Sequence, residues 1–339
     1  MPIILFVTAL LIAFIPFGSV LAAGEVNVYS ARKENLIKPL LDDFTKETGI
    51  RVNLLTGKAD ALLKRLEAEG RNSPADVLIT VDAGRLHRAK MMGLLSPVNS
   101  DVLAAHVPDN LRDKDEQWFG LSLRTRPIMY AKGRINPRQL STYEDLASAT
   151  WKGRICVRSS SNIYNQSLVA SIIAANGEDA AEQWAKALVN NLARPPQGGD
   201  RDQLNAVAAG QCDIALANNY YLAIMQKGKI KDQRKAAKRI GVFWPNQNNR
   251  GAHINVSGAG VTAAAKHREN AIKLLEYLVS EDAQSWYAKR NFEYPVRPGI
   301  QNSALLKKWG KFKPDSLNLT VLGEKNPTAV KIMDRAGWK

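Results

Sequence analysis

The chain has 339 residues, 45% of them hydrophobic and 23% charged, with a formal net charge of +15 at pH 7. This balance excludes a disordered or low-complexity chain, and the length suits two lobes better than one core. So positive a chain would fit a nucleic-acid binder, but its basic residues are scattered, with one denser stretch from Lys227 to Arg239, and no nucleic-acid motif accompanies them. The expectation is a cationic exported protein with no nucleic-acid partner.

Met1 to Ala22 carries no charged residue and ends in Val20-Leu21-Ala22-Ala23. This predicts a cleavable signal peptide over 1–23 and a periplasmic location. A basic start is missing, which leaves an uncleaved anchor as the alternative. No later segment approaches the apolar length of a membrane span.

Past that segment, Val26 to Tyr29 alternates as a strand, and Leu36, Ile37, Leu40, Leu41 and Phe44 share a helical face up to Gly49. A strand from Ile50 to Leu55 follows, then a helix with Leu62, Leu63 and Leu66, the apolar strand Asp76 to Thr80, and a helix ending near Gly93. Such alternation predicts a mostly parallel sheet with helices on both faces, whose ligands bind beyond the carboxyl ends of the strands. Trp118 to Lys132 reads as one extended crossing strand. The pattern then restarts: a strand over Gly153 to Val157, helices over Ile163 to Asn176, Asp179 to Leu192 and Asp200 to Ala209, and strands over Cys212 to Ala217 and Ile240 to Trp244. A last strand, Asn255 to Val261, precedes helices bearing Leu274, Leu275, Leu278, Trp286 and Tyr287. Cys156 and Cys212 sit near the starts of two of these strands. In an oxidising compartment an even pair can close a disulfide, the alternative being two buried thiols.

The chemistry concentrates where strands give way to helices. Tyr220 and Tyr221 stand between the Cys212 to Ala217 strand and the helix Tyr221 to Gln226. Successive residues inside a helix diverge by about 100°, whereas at a helix start two phenols can converge on one point. Phenolate oxygens are hard anionic donors, and the free N–H groups of a helix start favour negative charge beside them. Tyr164 occupies the equivalent position after Ser159-Ser-Ser-Asn162, where Ser159, Ser160 and Asn162 suit loop and cap hydrogen bonds. Two loops of one sheet thus aim phenols at one crevice, against the plainer reading of aromatic packing with polar handles.

Tyr29-Ser-Ala-Arg32, Leu121-Ser-Leu-Arg-Thr-Arg126, Arg158 to Ser167, Ala193-Arg-Pro-Pro196 with Asp200-Arg-Asp-Gln203, Ala217-Asn-Asn-Tyr-Tyr221, Arg250 to Asn255 with Ser257-Gly-Ala-Gly260, and Phe292-Glu-Tyr-Pro295 follow one another along the chain. With them the chain resembles the periplasmic ferric-iron-binding proteins of ABC-type importers, which are two-lobed solute-binding proteins. The resemblance implies an α/β periplasmic-binding-protein fold (type II), with lobes formed by 24–124 plus 250–298 and by 125–249 plus 299–339. It implies Fe(III), one per chain, held by Tyr164, Tyr220 and Tyr221, with a synergistic anion such as carbonate. Many relatives place a His, or a His-Tyr pair, just after the Tyr-Ser-x-Arg motif, whereas this chain has Lys33-Glu34. Glu34 is the candidate replacement, and Tyr29 a lesser ligand or a wall of the cleft. Arg124 is expected to hold the anion, with Arg32 second. His253 and Glu293 are expected to be structural. The resemblance further implies an ABC permease in the inner membrane as partner, a monomer, and a binder, not an enzyme. The alternative is a two-lobed binder of another small solute, a polyamine, oxyanion or sugar, contacted by the tyrosines directly.

Overall fold

The computed structural model describes residues 24–339; the expected signal peptide, 1–23, lies outside them. The chain begins β1 (Glu25–Ser30), α1 (Lys38–Thr48), β2 (Arg51–Thr56), α2 (Ala59–Glu69), β3 (Val77–Val81), α3 (Ala83–Met91), α4 (Asp101–His106) and β4 (Phe119–Thr125). It continues through β5 (Ile128–Ala131), β6 (Ile155–Cys156), α5 (Ile163–Asn176), α6 (Glu178–Asn190), α7 (Asp200–Ala209), β7 (Ile214–Leu216), α8 (Asn219–Lys227), α9 (Lys231–Lys238) and β8 (Ile240–Phe243). It returns as β9 (Ile254–Val261) and ends with α10 (Arg268–Leu278), α11 (Glu281–Trp286), α12 (Ala304–Lys308), α13 (Thr320–Glu324) and α14 (Asn326–Arg335).

Two sheets result, ordered β2-β1-β3-β9-β4 and β6-β7-β5-β8. β1 pairs parallel with β2 and β3, and β6 with β7, whereas β9 runs antiparallel to β3 and β4, and β5 antiparallel to β7 and β8. Each sheet is therefore parallel apart from one reversed strand. In each case that strand is the one by which the chain arrives from the other sheet. This is the two-lobed, type II periplasmic-binding-protein architecture.

The sequence predicts one continuous crossing strand over 118–132, but the structure divides it. β4 ends in the first sheet at Thr125 and β5 begins in the second at Ile128, with Arg126 and Pro127 between them. Pro127 has no N–H to give to a ladder, so pairing stops there and the chain changes sheets. β9 is buried along its whole length and β3 along all but its last residue, as expected of strands covered on both faces. Glycine is required in β9, where a Cβ at Gly258 would lie 2.6 Å from the Phe119 carbonyl oxygen.

The sequence predicts no element beyond residue 299, yet three helices form there. α13 packs against both α3 and α5, and α14 against α5 and α6. Asp82 adds a polar link between the lobes: its Oδ1 accepts from Gly84 N at 2.9 Å at the start of α3, and from Ser167 Oγ of α5 at 2.7 Å. Among the described residues no helix is long and apolar enough to cross a membrane.

Candidate metal centre

A cavity of about 600 Å³ opens where the loops after β1, β6 and β7 meet β4. Tyr164, Tyr220 and Tyr221 line it together, with cationic side chains facing them. The Tyr164 and Tyr220 hydroxyls are 3.4 Å apart, and the Tyr220 and Tyr221 rings lie 4.4 Å centroid to centroid. Among the described residues no group of three or more His, Cys, Asp and Glu side chains could hold a metal. Among the described residues the phenols are thus a concentrated donor set.

Local structure explains how they come together. Asn162 caps α5, its Oδ1 accepting from Tyr164 N at 3.2 Å. Ser159 Oγ accepts from Ser161 N at 3.2 Å and Ser160 O from Gln166 Nε2 at 2.9 Å, which shapes the preceding loop. Asn218 holds the corresponding position before α8 but makes no side-chain cap. Its Oδ1 accepts instead from Arg126 Nη1 at 2.9 Å, while Arg126 Nη2 donates to Asn165 Oδ1 at 2.8 Å. One guanidinium therefore grips the first turns of both tyrosine-bearing helices. Asn162→Ala is expected to lower stability by about 1 kcal/mol, the usual loss for such a cap, as urea unfolding would read.

Arg126 is also paired with Asp200 at the start of α7, through two contacts of 3.3 Å, and both groups are buried. Asp200 further accepts from Asn218 N at 3.2 Å and lies 3.7 Å from Arg158. Three helix starts converge here, and their free N–H groups favour phenolate over phenol. Arg124 and Arg158 stand over the Tyr164 ring, at 5.4 and 5.8 Å from its centroid, and Arg201 over Tyr221 at 5.9 Å. Burial nevertheless pushes the Tyr221 phenol up to about 12, reinforced by Tyr164 and Asp200. It pushes Tyr220 well above the ordinary tyrosine range, reinforced by Tyr164 and Tyr221. Without a cation the pocket holds these two phenols protonated.

The first-lobe candidates fare differently. Tyr29 is a correction: its hydroxyl donates to Glu69 at 3.0 Å and its ring lies under Arg65 at 5.1 Å, away from the cavity. The alternation of β1 turns it toward α2. Glu34 is a second correction, being exposed and bordering a separate surface pocket with Lys38 and Asp42. It is the first residue of a 3₁₀ turn, whereas Lys33 just before it has extended backbone (φ −59°, ψ 139°), and Lys33 lines the cavity while Glu34 does not. Arg32 reaches the cavity but its charge is engaged, donating to Glu293 Oε2 at 2.9 Å. Arg124 donates to neutral oxygens, Ser257 Oγ at 2.7 Å and Val256 O at 2.6 Å. That leaves its charge available to an anion.

His253 is buried, and burial first, then Arg250, Arg126 and Arg124, push its pKa down to about 3. It is a neutral ring, and its backbone N–H donates to Tyr143 Oη at 3.2 Å. Glu293 accepts from Ser122 Oγ at 2.7 Å as well as from Arg32. Sequence reasoning gave no role to Asp200, Arg158 or Arg201. All three nevertheless stand in motifs that carry the resemblance, Arg158 at the head of Arg158 to Ser167 and the other two in Asp200-Arg-Asp-Gln203.

A family model described as bacterial extracellular solute-binding protein matches residues 72–314. "Iron uptake protein A1" of Synechocystis is 50% identical over 315 residues, covering 93% of this chain and 88% of that protein. The "Fe(3+)-binding periplasmic protein" of Serratia marcescens is 28% identical over 340 residues, covering 99% of this chain and 97% of that one. Among solved structures, the Trichodesmium protein (IdiA, FutA) in complex with iron and citrate ligands has a TM-score of 0.91 at 52% identity, covering 93% of this chain and 100% of that one. The motifs, the two sheets and these relatives agree: the chain belongs to the family of bacterial extracellular solute-binding proteins.

Proposed function

We propose that this protein captures Fe(III) in the cavity between its lobes through Tyr164, Tyr220 and Tyr221 and delivers it, outside the cytoplasm, to an ABC importer. The observation that carries this reading is the convergence of three phenols, two of them with hydroxyls 3.4 Å apart, on a wall lined by Arg124, Arg158 and Arg201. Three phenolates neutralise a trivalent ion, and its charge reverses the repulsion that otherwise keeps the phenols protonated. The first lobe brings Lys33 and Arg124 to the cavity, and its one carboxylate there, Glu293, is already held by Arg32 and Ser122. The remaining coordination positions then fall to an anion from solution, carbonate or the carboxylates of a chelator such as citrate. Arg124, hydrogen-bonded to neutral oxygens only, is the residue that grips it.

The lobes proposed for closure are 24–124 plus 250–298 and 125–249 plus 299–339, moving about Arg126-Pro127 and the segment before β9. Cargo bound by the second lobe draws the cationic loop of the first onto it, shifting an open population to a closed one that a permease recognises. No bond in the cargo is made or broken. A polyamine is disfavoured, because the cavity presents at least four cationic side chains, Lys33, Arg124, Arg158 and Arg201.

Titration of the iron-free protein with ferric citrate tests the reading. The expected result is a visible phenolate-to-iron band that saturates at one iron per chain. Binding of citrate or phosphate without any coloured ferric complex would show an oxyanion binder instead.

A further inference from the structure

The phenols come from two strand-loop-helix units that share a base. In one, β6 leads through the 157–162 loop to Tyr164 near the start of α5; in the other, β7 leads through Ala217-Asn218 to Tyr220 and Tyr221 near the start of α8. Tyr164 follows Cys156 by eight residues and Tyr220 follows Cys212 by eight. Those two cysteines are joined in a disulfide, their Cα atoms 6.0 Å apart.

Beside the disulfide the bases are also joined through Arg154. Its carbonyl accepts from Asp213 N at 2.8 Å and Ile214 N at 3.0 Å, and its Nε donates to Asp213 Oδ2 at 2.7 Å. Nearer the phenols the ties are few. β6 is an edge strand of two residues, and its registered ladder with β7 consists of Ile155↔Ile214 and Cys156↔Ala215. Beyond Cys156 the two chains part into loops of different length, yet they must bring Tyr164 and Tyr220 back to 3.4 Å. A two-rung edge pairing is a weak hinge, and edge strands open more readily than central ones. Arg126 grips the units from the cavity side through Asn165 and Asn218, whereas the disulfide pins them from the opposite end, where both sulfurs are buried.

We infer that the Cys156–Cys212 disulfide is a positioning element of the metal centre, setting the distance between the two units whose phenols share the ion. The inference rests on the ferric reading above. Removing the cross-link leaves every ligand in place but lets the units move relative to one another, so that part of the binding energy goes to reassembling the site.

A double-mutant cycle on ferric affinity, read by competition with a chelator and by the visible band, tests it. Cys156→Ala with Cys212→Ala is expected to weaken ferric binding about tenfold, the low end of what losing a residue that supports a metal ligand costs, and to broaden the band. In a Tyr164→Phe background one unit alone still supplies phenols, and the same cysteine change is expected to alter affinity by less than about twofold. Unchanged affinity, or an equal loss in both backgrounds, would overturn the inference, the second by showing that the disulfide acts through general stability. If the alanine pair loses its cooperative unfolding transition, Cys156→Val with Cys212→Val, which restores more volume, carries the same cycle. Failure of the underlying reading is separable: the unaltered protein would then take up no ferric iron and show no colour before any cysteine is changed.

Discussion

Replacing Tyr220 and Tyr221 together by phenylalanine is expected to abolish the visible phenolate-to-iron band and to weaken ferric binding by more than about 10⁴-fold. Residues that merely support a metal ligand are worth about 10–100-fold in affinity, so each direct ligand is worth at least the upper figure, and two multiply. The fold should survive. The Tyr220 hydroxyl donates to Tyr164 at a long 3.4 Å, so its removal strands no other buried group and should change stability by less than about 1 kcal/mol. Both rings remain to pack, and α8 keeps the buried Leu222, Ala223 and Met225 face that holds it. Tyr29→Phe is the control: that phenol donates to Glu69, so its loss should leave ferric affinity unchanged. A double variant that stays coloured and tight, or a Tyr29 variant that loses iron, would mean the ligands have been assigned to the wrong phenols.

How much of this was legible in the sequence follows from the range of the interactions involved. Tyr164 and the Tyr220-Tyr221 pair were readable because strand-to-helix junctions are local features, marked by Asn162 and Asn218 and by the apolar strands before them. The crossing between lobes was readable in outline, although Pro127 marked its break point and went unused. The alternation of β1 was just as local, yet which face of a doubly covered strand looks at the cavity depends on what α2 presents. Glu69 there captured Tyr29. Lys33 and Glu34 stand on either side of the start of a 3₁₀ turn, and no periodicity in the sequence says which of them faces inward. The hub formed by Arg126 and Asp200 joins residues 74 apart in sequence. A buried pair at that separation leaves no periodic trace, which is why Arg126 reads in sequence like Arg124, two residues earlier on the same face. In the structure the two differ wholly: one is spent on scaffolding the phenols, the other hydrogen-bonds only neutral oxygens. Of the helices after residue 299, α12 and α13 are five residues each, too short to show a period. By contrast α14 spans ten, with a proline in its first turn and a buried Ala329, Ile332 and Met333 face, a signal that was present and went unused.

Acid is expected to release the iron steeply, with apparent ferric affinity falling by up to about 10³ per pH unit as pH drops below neutrality. The sign follows from the protonation states on either side of binding. In the iron-free protein burial, aided by the neighbouring phenols and Asp200, holds Tyr221 up to about 12 and Tyr220 well above the ordinary range. Ferric iron displaces a proton from each phenol it binds. Each proton released is worth about 1.4 kcal/mol per pH unit, so three protons are worth about 4 kcal/mol, a thousandfold. The slope should hold wherever the free phenols stay protonated, and for Tyr221 that range extends to about 12. Affinity measured against a chelator of known proton dependence, together with proton release counted in weakly buffered solution, would read the slope and the stoichiometry independently. A slope of one or less would mean that the phenols are not the ligands. The arginines set where along this line release occurs: Arg124 pulls the Tyr220 phenol down and Arg158 the Tyr221 phenol, each opposing burial. Arg124→Gln should therefore keep the slope, because the number of protons is unchanged, but move half-release to higher pH, because the phenolates have lost a cation that favours them. An unchanged midpoint would show that Arg124 neither tunes the phenols nor holds the anion that completes the site.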